Sequence, residues 1–262
     1  MRHVLSAVVL LSAFAPGAVF AGLKEHSVRA FEVYIRKTEA RIETQVSGSG
    51  FLWADESSLR LAQVRSGRVV VGPFGQEPEI SIQDGLIHDW IGSIFIPGAT
   101  LAGTLAMVQN YDNHKNVYKP EVIDSRLLNR SGNDFKVRLL LLKKKVLTVV
   151  LNTDHDVRYF PLDGKRCHSR SYSSRIVEVV NYGKSEQHEL PVGEDRGFLW
   201  RVYSYWKFQE RDGGVYVECE AISLTRSIPT GTGWIIKPII RSLPRESLSN
   251  TLAATRAELV KK

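Results

Sequence analysis

Apolar and polar positions along this chain repeat with two different periods, and the change of period marks its elements. Over residues 27–46, Val28, Phe31, Ile35, Thr38, Ile42 and Val46 recur at steps of three and four with charges between them. That spacing gathers one stripe on one face of a helix. Ser27 stands where an N-cap is wanted, and Ser47-Gly48-Ser49-Gly50 closes the segment. A shorter helix is predicted over 55–65, then a strand over 68–71 stopped by Gly72-Pro73. Beyond residue 80 a period of two takes over. It predicts a strand over 85–96, then a helix over 99–109 with Leu101, Leu105 and Val108 on one stripe. Strands follow near 121–129, 134–142, 146–160, 167–180, 198–209 and 214–226, parted by turn sequences such as Ser131-Gly132-Asn133 and Arg211-Asp212-Gly213-Gly214. The chain closes on a helical region over 234–260, bent by Pro238 and Pro244.

Consecutive strands joined by tight turns form an antiparallel sheet, and helices gathered on one side of it make the class α+β. The expected architecture is a helix grip: a curved sheet of about seven strands around a long C-terminal helix, with a space for a ligand between them. Over 148–159 one strand face carries Val149, Leu151, Thr153, His155, Val157 and Tyr159, while the other carries Asn152, Asp154, Asp156 and Arg158. Over 198–208 one face carries Phe198, Trp200, Val202, Ser204, Trp206 and Phe208. The candidate cavity-lining residues are therefore Val149, Leu151, His155, Tyr159, Trp200 and Trp206 from the sheet, with Trp234, Ile239 and Leu243 from the last helix. Such aromatic area serves ordinary core packing as well as a ligand wall. His155, Tyr159 and Glu220 would orient a ligand's polar end, and a buried Glu220 needs a partner or water.

The start of the chain reads differently. Arg2 and His3 precede an apolar run of about a dozen residues, Pro16-Gly17 breaks it, and Ala18-Val19-Phe20-Ala21 offers small residues for cleavage. The run is short of the roughly 20 residues that a spanning helix needs. Residues 1–21 are thus expected to be a secretory leader removed after Ala21, which places the mature protein in the periplasm or outside the cell. The remainder divides into an N-terminal helical extension, 22–80, and the grip domain, 81–262. An apolar fraction of 43% with 24% charged residues is that of a globular chain. The net charge of +7 is scattered, with Lys143-Lys144-Lys145 the only run. It leaves peripheral contact with a membrane surface open and gives no nucleic-acid footprint.

Little in the sequence points to catalysis or to a cofactor. The chain has seven histidines, and after His3 of the leader none forms a helical His-x-x-x-His or Glu-x-x-His pair. Asp154-His155-Asp156 splits between two strand faces. No Gly-x-Ser-x-Gly elbow occurs, and Gly231-Thr232-Gly233 lacks the ending of a phosphate loop. No metal ligand set, cofactor or catalytic residue is assigned.

The run from Ile96-Pro97-Gly98-Ala99-Thr100 through Asn110-Tyr111-Asp112-Asn113-His114 to Pro120-Glu121-Val122-Ile123 resembles the START-like superfamily of polyketide cyclases, lipid-transfer and coenzyme Q-binding proteins. Lys145–Leu151, Asp156-Val157-Arg158-Tyr159, Gly213–Glu218 and Ile239–Pro244 continue the likeness over roughly residues 85–260. The resemblance implies a fold and a pocket and carries over no catalytic residue. In a meander of that kind, Cys167 and Cys219 lie two strand spacings apart, about 9–10 Å, beyond the roughly 7 Å limit of a disulfide. Three functions follow: carriage of a lipid, quinone or polyketide-like molecule; a cyclase or aromatase using His155 with Tyr159; or an interaction module docking through residues 23–80.

Overall fold

The structure, a computed structural model, describes residues 22–48, 50–75, 77–144, 148–227 and 233–261, with the side chains of 233–241 outside that description. The expected leader therefore lies outside the described residues. In chain order the elements are α1 (Glu25–Ser47), a 3-10 turn (Trp53–Glu56), α2 (Ser58–Arg65), β1 (Val70–Pro73), β2 (Ile80–Ile82) and β3 (Gly85–Pro97). Next come α3 (Leu101–Val108), a second 3-10 turn (Tyr111–Asn113), α4 (His114–Val117), β4 (Val122–Ser131), β5 (Asp134–Lys144) and β6 (Thr148–Pro161). The chain ends with β7 (Arg166–Val180), β8 (His188–Glu189), β9 (Arg201–Arg211), β10 (Gly214–Arg226) and α5 (Gly233–Val260).

One antiparallel sheet runs β1-β3-β10-β9-β7-β6-β5-β4, with β2 added to β3 and β8 to β7. The class is α+β, and α5 lies across β1, β3 and β10 on one face of the sheet. The long strands are those the alternation predicts; β2 and β8 are too short to show a period. Three local expectations are corrected. Ser27 does not cap α1, which starts a turn earlier with Lys24 at the N-cap; its buried hydroxyl donates to Gln83 O at 2.8 Å instead. The strand expected to stop at Val71 continues through Gly72-Pro73, because β1 is an edge strand, where proline costs no ladder bond. The helix expected over 55–65 is split by Ser57, whose Oγ accepts from Arg60 N at 3.3 Å and caps α2.

The sheet is covered on both faces. On the face under α5, Trp90, Ile94, Ile96, Phe208, Val215 and Val217 pack with Leu248 and Leu252. On the opposite face the stripe Phe31, Ile35 and Ile42 of α1 meets Ile87, Tyr205, Ile222 and Leu224, while Phe51, Leu52 and Val64 meet Phe95 and Tyr216. Cys167 and Cys219 are buried and unbridged, and β9 runs between their strands.

α5 comes close to the sheet at Gly92 of β3. A Cβ there would sit 2.7 Å from Leu252 Cδ1 and 2.8 Å from Val71 Cγ2. Gly92→Ala is expected to destabilise the protein by about 1–3 kcal/mol through overpacking. Leu252→Ala alone should cost about 2–5 kcal/mol. Because the second change removes the atom the first collides with, the double variant should lose less than the sum of the two, as measured by urea unfolding.

Candidate functional site

A cavity of about 390 Å³ lies between the sheet and α5, within the size range of small-molecule pockets. One wall is the inward face of β5, β6, β7, β9 and β10; the other is Leu243, Pro244, Ser247, Leu248, Thr251 and Ala254 of α5. Uninterrupted alternation on β6 turns Val149, Leu151, His155, Val157 and Tyr159 inward, while Asp156 and Arg158 are exposed. Trp206 comes from the corresponding face of β9, flanked by Ser204 and Phe208.

Of the residues expected to line the cavity, the structure brings together Val149, Leu151, His155, Tyr159, Trp206 and Leu243. Trp234 and Ile239 fall among the side chains outside the described residues. Trp200 is a correction. It is 3% exposed and packs with Phe31 and Ile35 of α1 on the other side of the sheet, with Nε1 donating to Asp195 at 3.2 Å. The reason is that β9 begins only at Arg201, so alternation cannot be extended back to 198–200; Phe198 and Leu199 face the cavity instead. Glu220 is a second correction, since it also faces α1, where Arg41 Nη2 donates to its Oε1 at 2.5 Å.

The polar groups inside are neutral, and the tyrosines and His114 among them are committed. Tyr111 and Tyr159 share a hydroxyl–hydroxyl bond of 2.9 Å. Thr255 gives its proton to Thr251 O, so at 3.2 Å it accepts from Tyr118. His114 Nε2 donates to Val108 O at 3.0 Å. His155 and Tyr159 do not form a pair: they are four residues apart on one strand, about 13 Å, and each bonds a different partner. The charges sit at one margin of the cavity, where Lys143 pairs with Glu121 and donates to Ser247 Oγ at 2.6 Å, and Asn250 donates to Glu121 at 2.7 Å. Burial pushes the Lys143 ammonium down to about 8.

The opposite face is where the sheet keeps most of its buried charges. Glu218 accepts from Trp53 N at 2.9 Å and Ala54 N at 3.2 Å, Lys207 donates to Gln45 at 2.8 Å, and Tyr34 donates to Asp89 at 2.8 Å. Tyr205 donates to Glu39 at 3.0 Å, and Arg170 pairs with Glu43. Among the described residues no group of three or more His, Cys, Asp or Glu is arranged to hold a metal ion.

No protein-family model matches the chain, and no curated protein matches it by sequence. Solved structures of START-like proteins are among those similar to it. A STAR-related lipid transfer protein from Xanthomonas axonopodis is 18% identical with a TM-score of 0.47, over 70% of this chain and 99% of that one. A START superfamily protein from Mycobacterium smegmatis is 11% identical at 0.44, over 66% and 98%. The Zhui aromatase/cyclase from Streptomyces sp. R1128 is 12% identical at 0.42, over 67% and 94%. At this distance no residue correspondence follows, and the site rests on this chain's own side chains.

Burial holds His114 and His155 neutral, pushing both down to about 4 from an ordinary 6.5. Between those values the unfolded chain takes up protons that the fold refuses, so stability falls as pH drops from 6.5 towards 4. Buried Glu218, pushed up to about 7, acts with the opposite sign, its contribution being lost as pH rises. Comparing a single variant with the parent at each pH cancels the groups left unchanged. His155→Gln, which keeps a donor for Thr153, should therefore lose about 2–3 kcal/mol less than the parent between pH 7 and pH 4, as read from urea unfolding at both values.

Proposed function

We propose that this protein binds and carries a hydrophobic small molecule outside the cytoplasm, without transforming it. The observation that carries the reading is the cavity itself. Its walls are mainly aliphatic and aromatic, and its floor keeps hydroxyls that have no protein partner among the described residues. Apolar walls gain about 25 cal/mol for each Å² of apolar surface they take out of water, so a space of this kind favours an apolar occupant over solvent. The leader-like pattern of residues 1–21 supports the compartment. No helix among the described residues is long and apolar enough to cross a membrane; Lys119 at the margin of the cavity offers positive charge to an anionic membrane surface during loading.

Solvent extraction of the purified protein followed by mass spectrometry should recover an apolar compound in near-stoichiometric amount. Ala221→Trp fills the floor of the cavity from a position that is now a small side chain. It should reduce the recovered compound at least tenfold while far-UV circular dichroism stays unchanged. An unchanged yield from the filled variant would place the ligand elsewhere.

A further inference from the structure

The floor of the cavity carries a belt of polar side chains that crosses four strands. Ser171 of β7 stands opposite both Val157 of β6 and Ser204 of β9; Ser204 stands opposite Ala221 of β10, with Ser223 two residues further on. His155 of β6 lies one row from Ser171, opposite Ser173. His155, Ser171, Ser204 and Ser223 all face the cavity. On one side of the belt the wall is Leu139, Leu141 and Leu151, and on the other Trp206 and Phe208.

The hydrogen-bonding capacity of this belt is unused. Ser171, Ser204 and Ser223 have no hydrogen-bond partner among the described residues, nor are their oxygens sealed from the cavity. His155 has one nitrogen engaged. Its Nε2 lies 2.9 Å from Thr153 Oγ1, and that hydroxyl gives its only proton to Leu139 O at 3.1 Å. The imidazole must therefore be the donor in its own bond. In the neutral ring Nδ1 is then left as a bare acceptor, without a partner among the described residues and not occluded. A hydroxyl beside an unprotonated imidazole nitrogen matches a group that both donates and accepts.

The geometry points to a neutral alcohol or phenol as the group this cavity selects. The ligand's O–H donates to His155 Nδ1, its oxygen accepts from the hydroxyl of Ser171 or Ser204, and its apolar parts extend past the belt. This rests on the reading of the cavity as a carrier site and adds the chemistry of its cargo. An ether or carbonyl ligand could accept from the serines but would leave Nδ1 unpaired in a dry site, which costs affinity. A carboxylate would be buried beside an acceptor, with the Lys143 ammonium already paired to Glu121 at the margin.

Two fluorescent probes separate these cases: 2-naphthol, and 2-methoxynaphthalene, which keeps the ring and the oxygen but lacks the proton. Titrated into the purified protein at pH 7, the naphthol should bind at least about tenfold more tightly than its ether. His155→Phe, which keeps a ring but no acceptor, should bring the two within about threefold by weakening the naphthol alone. Ser171→Ala/Ser204→Ala, two small changes facing open space, should weaken both probes alike, because each oxygen accepts from the serines, and serves if the histidine variant does not fold. Equal binding of both probes to the parent protein, a preference that survives His155→Phe, or unchanged binding of both probes to the double serine variant overturns the hydroxyl assignment and leaves the carrier reading standing. Failure of both probes to bind overturns the two together.

Discussion

α5 comes near to the sheet over one bare position. Gly92 offers Leu252 no side chain to stand on, so the helix is drawn into contact along β3 and its neighbours β1 and β10. Elsewhere the sheet presents Trp206, Phe208 and Tyr159 on the same face. A rigid helix seated closely at one side of a curved sheet cannot also close on the rest of it. The void between helix and sheet thus follows from where the two touch.

Two covered faces let the sheet segregate its polar chemistry. Most of the carboxylates and cations that have to be buried point towards α1, whose Arg41, Glu39, Glu43 and Gln45 meet them. A buried charge without a partner is expensive, and a ligand chamber has no fixed partner to offer when empty. Around the cavity the other face accordingly carries serines, threonines, tyrosines and neutral imidazoles, with Lys143–Glu121 at the margin and the buried Glu178–Arg196 pair outside the lining. The N-terminal helix is in this sense part of the site's construction: by accepting the charges, it lets the cavity remain neutral.

Much of this was legible in the sequence where a single period runs unbroken. On β6 the alternation from Val149 to Tyr159 identifies the cavity side correctly, His155 included. Trp200 was misplaced because the same rule was carried across the start of β9, and the backbone before Arg201 is not a strand. Glu220 could have been placed from its own strand, since Val215, Val217 and Cys219 take the inward parity and leave even-numbered residues for α1. The serine belt had a signal, Ser169, Ser171 and Ser173 at intervals of two, but hydroxyls suit either face and only the pairing shows which one they take.

That pairing turns on one residue. Between Asp154–Arg175 and His155–Ser173 the ladder skips Ser174, which bulges out, exposed. Beyond the bulge, Ile176 faces the same side as Val149 and Leu151; before it, Ser169 and Ser171 do. Even-numbered and odd-numbered residues thus exchange faces within one strand. Without the extra residue, strict alternation would send Arg170 and Tyr172 into the chamber and turn the serines towards α1. The bulge reverses that outcome: Tyr172 and Arg170 reach Glu39 and Glu43 of α1, and the hydroxyls line the floor beside His155. A one-residue irregularity, of the sort that re-aims side chains next to functional sites, therefore sets the chemical character of the cavity and of the charged layer behind it together.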